Sequence, residues 1–88
     1  MPVTGSVVSV GTSATLLVAG EVNKEYVYLQ DGDFDGSSVT YVGGSDVTTA
    51  NGIKLSKTNQ TIFELYEFDE LHAISDSASG EVRVLVVK

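Results

Sequence analysis

Lys24-Glu25-Tyr26-Val27-Tyr28-Leu29-Gln30 alternates without a break, with Glu25, Val27 and Leu29 on one side and Lys24, Tyr26, Tyr28 and Gln30 on the other. A period of two is the mark of a half-buried strand, and the valine and tyrosine content agrees with it. Asp31-Gly32-Asp33-Phe34-Asp35-Gly36 then breaks the strand. Runs of the same kind recur on both sides. Val3 to Val10 sets Val8 and Val10 against Val7, and Ala14 to Ala19 follows Gly11-Thr12-Ser13, a polar connection suited to a hairpin. Further on come Val39 to Val42, Ile53 with Leu55, Thr61 to Glu67, Leu71 to Ile74, and Glu81 to Val87. Gly43-Gly44-Ser45-Asp46 and Asn51-Gly52 are turn clusters, the second of a type that accepts positive φ. About seven or eight short strands, with turn signals roughly every ten residues, predict an all-β fold: a small antiparallel β-sandwich or a jelly-roll-like barrel.

The alternation nominates Val8, Val10, Leu17, Val27, Leu29, Val39, Tyr41, Ile53, Leu55, Ile62, Leu65, Ile74, Val82 and Val84 as core residues. One segment competes with the strand reading. Between Thr58 and Ala73 the apolar residues fall at 62, 65, 66, 68 and 71, which partly fits a helix. Thr58 would cap it, but Thr61 stands where a capping box needs Glu or Gln.

The 88 residues make one β domain, 1–88, with residues 1–6 either an ordered first strand or a free N-terminal arm. The formal net charge of -7 argues against binding nucleic acid, whose phosphates would repel this surface, and against docking on an anionic membrane. There is no cysteine, so a disulfide framework and a thiol nucleophile are excluded. The single histidine, His72, leaves no multi-histidine metal site. Hydrophobic residues make up 42% of the chain, enough for a packed core and too many for a disordered acidic tail. No basic and apolar leader opens the sequence, and no apolar run approaches the ~20 residues of a membrane span, so a soluble protein made in the cytoplasm is expected. A domain this small gains little stability from its own burial, which favours association into a homo-oligomer.

The chemistry-bearing patterns are few. Asp31-x-Asp33-x-Asp35-Gly36 reproduces the first half of a calcium loop, in which alternate carboxylates converge on a hard cation. Asp31, Asp33 and Asp35 are therefore the candidate metal ligands. The second half is missing, because Val42 stands where the bidentate Glu belongs. The plainer reading is an acidic loop whose Asp and Gly residues serve the turn. Glu64, Glu67, Asp69 and Glu70 form an acidic cluster, and His72 lies near Asp69 and Asp76, the one arrangement in which a hydrolytic acid–base pair could be sought. No Gly-x-Ser-x-Gly elbow or phosphate loop accompanies them. Tyr26, Tyr28 and Tyr41 would form either an aromatic strip that stacks sugars or bases, or, more simply, ordinary core and cross-strand packing. No catalytic residue and no cofactor is expected, calcium at the aspartate loop apart.

Gly43-Gly44-Ser45-Asp46-Val47-Thr48-Thr49-Ala50-Asn51-Gly52-Ile53-Lys54-Leu55 resembles a motif of small structural proteins of tailed bacteriophages. Val8-Ser9-Val10-Gly11-Thr12-Ser13-Ala14-Thr15-Leu16-Leu17-Val18 is similar to the opening of those proteins. Leu71-His72-Ala73-Ile74-Ser75, followed by Glu81-Val82-Arg83-Val84-Leu85, is similar to their close. The chain departs from them in its longer Asp31–Ser38 loop and in the Lys24-Glu25-Tyr26 lead-in. The resemblance implies a non-catalytic all-β virion protein: a decoration (cement) protein, or a module of a tail, baseplate or fibre engaged in host recognition or carbohydrate binding. An 88-residue chain without a shaft or anchor favours the separately added decoration protein. The expectation is then a homotrimer on the outer capsid surface, its partner the major capsid protein.

Overall fold

A computed structural model describes residues 3–20, 24–33 and 36–87. These contain eight strands and no helix: β1 (Val3–Val10), β2 (Thr15–Ala19), β3 (Glu25–Asp31), β4 (Thr40–Gly43), β5 (Ile53–Lys54), β6 (Thr61–Leu65), β7 (Glu70–Ser75) and β8 (Gly80–Val87). The first strand pairs with the last, β2 with β7, β3 with β6 and β4 with β5, all antiparallel. The chain is thus one long hairpin closed at β4–β5. Rolling that hairpin brings β8 against β3 and β7 against β4. Two four-stranded sheets result, ordered β1-β8-β3-β6 and β2-β7-β4-β5. That order is a jelly roll.

The core lies between the sheets. Val27 and Leu29 of β3, Val82 and Val84 of β8 and Val10 of β1 meet Val42, Leu71 and Ala73 of the other sheet, with Leu55 and Leu65 closing the ends. Each buried valine or leucine stabilises the fold by about 1.5–3 kcal/mol over leaving it in water. Val8 and Leu17 pack against this cluster partly buried. A register shift in β2 between Leu16 and Val18 gives Leu17 its place there.

Four strands keep their predicted position and reverse, or lose, their predicted face. In β4 the buried residues are Thr40 and Val42, not Val39 and Tyr41. In β7 they are Leu71, Ala73 and Ser75, not Ile74. Ile62 points outward from β6 while Phe63 and Leu65 turn in, and Ile53 on the edge strand β5 is exposed. The helical alternative over 58–73 is not adopted; β6, a tight corner and β7 occupy it.

Two turns also differ from expectation. Gly11-Thr12-Ser13 does not close a hairpin, because β1 and β2 belong to different sheets; the segment crosses between them, and the Gly11 carbonyl accepts a 2.8 Å bond from the Ser75 amide. No described glycine has positive φ. Gly52 is required instead by close approach: a Cβ there would lie 2.7 Å from Cβ of Tyr41 and 2.9 Å from Cγ2 of Val47.

Candidate functional site

The loop that follows β3 is organised around an ammonium group. Asp31 closes the strand with its side chain buried, and its Oδ1 accepts the Asp33 amide at 2.9 Å. Its Oδ2 faces Nζ of Lys57 at 3.4 Å. Lys57 Nζ also donates to the carbonyls of Asp33 (2.7 Å) and Ser38 (2.8 Å). The Asp33 carboxylate turns away to accept the Ser38 amide at 3.3 Å. Asp35, the third candidate ligand, lies outside the described residues. Calcium takes six to eight oxygens at about 2.3–2.6 Å; of the oxygens here, Asp31 Oδ2 and the carbonyls of Asp33 and Ser38 face Lys57. In the described part of the loop, Lys57 is the cation that Asp31 faces. Among the described residues no three His, Asp or Glu side chains gather as a metal cage. Lys57 carries no signal in the sequence, since it reaches the loop from 24 positions away.

The titratable residues are dispersed. His72 sits half-buried on β7, its Nε2 3.9 Å from Oε1 of Glu70 and its Nδ1 buried without a hydrogen-bond partner. Both carboxylates considered with it serve the backbone: Asp69 Oδ2 accepts the Tyr66 amide and Asp76 Oδ1 the Val39 amide, each at 2.9 Å. The hydroxyls of Ser38, Ser77 and Ser79 form a triangle with sides of 2.7, 3.0 and 3.2 Å, joining the β3–β4 and β7–β8 connections. Glu64 pairs with Lys24 at 3.6 Å across the β3–β6 border. Tyr26 beside it, and more weakly the Glu64 carboxylate, hold the Lys24 ammonium above its ordinary range.

What the structure does assemble is an apolar outer face on the β1-β8-β3-β6 sheet. Register places Gly5, Leu85, Tyr28 and Ile62 in one row across its four strands. Val7, Arg83 and Gln30 form the next row, and Val3, Val87, Tyr26 and Glu64 the row on the other side. Val7 is 54% exposed, Ile62 56% and Leu85 39%. Gly5 leaves a gap in this surface, and a groove of about 470 Å³ runs there between Val7, Tyr28, Gln30, Gln60, Arg83 and Leu85. Arg83 leans along its own strand to Glu81, with Nε 3.3 Å from Oε1. Of the three tyrosines considered as a strip, Tyr26 and Tyr28 share this face, whereas Tyr41 stands on the other sheet.

No protein-family model, curated protein or solved structure matches the chain. Fold and surface together define its class: a small jelly-roll domain whose outer sheet face offers apolar side chains and a groove.

Proposed function

We propose that this chain is a structural protein of a tailed-bacteriophage virion, a decoration protein that assembles as a homotrimer on the outer capsid surface and clamps neighbouring subunits of the major capsid protein. The observation that carries the reading is the apolar outer face of β1-β8-β3-β6. Val3, Val7, Ile62 and Leu85 expose large apolar side chains together on one sheet, the pattern of a surface that another protein covers. The phage-like motifs of the sequence supply the setting. Jelly rolls recur in capsid and lectin domains, which is an argument from architecture alone. A charge of -7 suits the exterior, since a protein lining the inside would face packaged DNA. In this reading the chain performs no catalysis.

One observation favours a second reading. The groove sets Tyr28 beside two amides, Gln30 and Gln60, and the Arg83 guanidinium. A stacking ring with convergent polar groups is the chemistry that holds a sugar, so a tail or fibre component binding host carbohydrate is the alternative. Purified protein mixed with capsids that lack it separates the two. Decoration predicts binding at many copies per head and a higher temperature of capsid disruption. Labelling confined to the tail, or binding to host cells without binding to capsids, would end it.

A further inference from the structure

The corner between β6 and β7, Tyr66-Glu67-Phe68-Asp69, presents a side chain that the isolated fold does not use. Phe68 is 89% exposed, the most of any large apolar residue described, and Tyr66 beside it is 51% exposed. Phe68 also has φ 74°, the one positive value among the described non-glycine residues. Glycine or asparagine occupies such a position readily; an aromatic residue there is strained and rare. Water and backbone both disfavour phenylalanine at this point.

The corner is nevertheless held firmly. The Asp69 amide donates to the Tyr66 carbonyl at 3.0 Å, and Asp69 Oδ2 takes the Tyr66 amide at 2.9 Å. Gly20, at the end of β2, donates its amide to the Asp69 carbonyl at 2.6 Å. Only glycine fits at 20, because a Cβ would run into the Tyr66 carbonyl oxygen. The ring is thus carried on a fixed backbone, and burying it against a partner costs little ordering. Glu67 and Asp69 flank it in the chain, and Glu64 and Glu70 lie within four residues of it, all exposed. The described basic side chains nearby are Lys24, 3.6 Å from Glu64, and His72, 3.9 Å from Glu70.

We propose that this corner is a docking anchor, with Phe68 entering an apolar pocket on a partner protein whose rim carries lysine or arginine. An exposed aromatic side chain that fills a partner's pocket is the form of an interface hot spot, and the acidic residues of the corner select a basic rim. A second copy of this chain is a poorer occupant, since each copy carries a net charge of -7. The inference rests on the decoration reading, in which the partner is the coat lattice.

Phe68→Gly and Phe68→Asn both suit positive φ and test it, with wild-type protein and capsids lacking the decoration. Both variants should melt no lower than wild type, and their affinity for capsids should fall by about ten- to a hundredfold. Wild-type affinity should drop steeply as salt rises, and the oligomeric mass of the free protein should not change. Variants that bind within twofold of wild type would overturn the anchor and leave the decoration reading standing. So would a lowered melting temperature in both variants, which makes Phe68 structural, or a changed mass, which makes a second copy the occupant. Capsids that do not bind the wild-type protein would overturn both.

Discussion

Lys57 shows how one residue sets the character of a loop. The loop after β3 concentrates aspartates, and Asp31 is almost completely buried at 1% exposure. A buried carboxylate is costly unless it is paired, and Lys57 provides the pairing while tying down two carbonyls. Lys57→Met keeps the length of the side chain and removes the charge. Because Lys57 remains 30% exposed, water would relieve part of the loss, so the expected destabilisation is about 1–3 kcal/mol. A urea titration followed by circular dichroism measures it. A midpoint equal to that of wild type would mean that Asp31 is satisfied by other means. The acidic loop was legible in the sequence; its pairing with Lys57 was not, because the lysine is remote in sequence and isolated among Ser56, Thr58 and Asn59.

Individual strands were legible to within a residue or two, and their inward faces only in part. In β3 the alternation sets Glu25, Val27 and Leu29 inward as read, because the outward Lys24, Tyr26 and Gln30 contrast with Val27 and Leu29, whereas Asp31, read as the break, extends the strand and is buried as well. In β4, β6 and β7 both faces carry apolar side chains, so period two fixes the strand but not its phase. Tyr41 competes with Val42, Ile62 with Phe63, and Ile74 with Leu71. The rolled hairpin settles the phase through register, which no local window contains. The same ambiguity is the sequence trace of the outer surface: apolar residues on the wrong face of β6 and β8 are those that line it. Thr40 marks the strand where the choice is least expected, fully buried with its hydroxyl lacking a hydrogen-bond partner. Thr40→Val keeps the shape and removes the unsatisfied group, so the protein should gain about 1 kcal/mol. The urea midpoint should rise with the slope of the transition unchanged. A lower midpoint would show that the hydroxyl is bonded.

At the scale of the whole molecule, sheet geometry limits what one contact can do. Four strands about 4.8 Å apart, and from about 17 Å (β6) to about 27 Å (β1 and β8) long, give the outer face of β1-β8-β3-β6 roughly 450 Å² per copy. Stable pairs bury about 800 Å² per partner, so a single copy docking through this face would bind weakly. Three copies gathered through this face escape that limit, because once the first contacts form the last closes at high effective concentration, and the trimer is left to meet the lattice through other contacts such as the Phe68 corner. Charge adds a signature. Copies at -7 repel one another, whereas apolar contact does not weaken in salt, so self-association through this face should strengthen as salt rises. Binding through the acidic Phe68 corner should weaken over the same range, and the two contacts can be told apart on that basis. Ile62→Lys together with Leu85→Lys places charge at the centre of the face, where both residues already meet solvent in the single chain. Exposed positions tolerate such changes within about 0.5 kcal/mol each, so the monomer should keep its melting temperature and its β spectrum. Sedimentation should then find wild type as a trimer whose population grows with salt, and the double variant as a monomer at every salt concentration. A double variant that still sediments as a trimer would move the subunit interface off this face, to the sheet edges or to β2-β7-β4-β5.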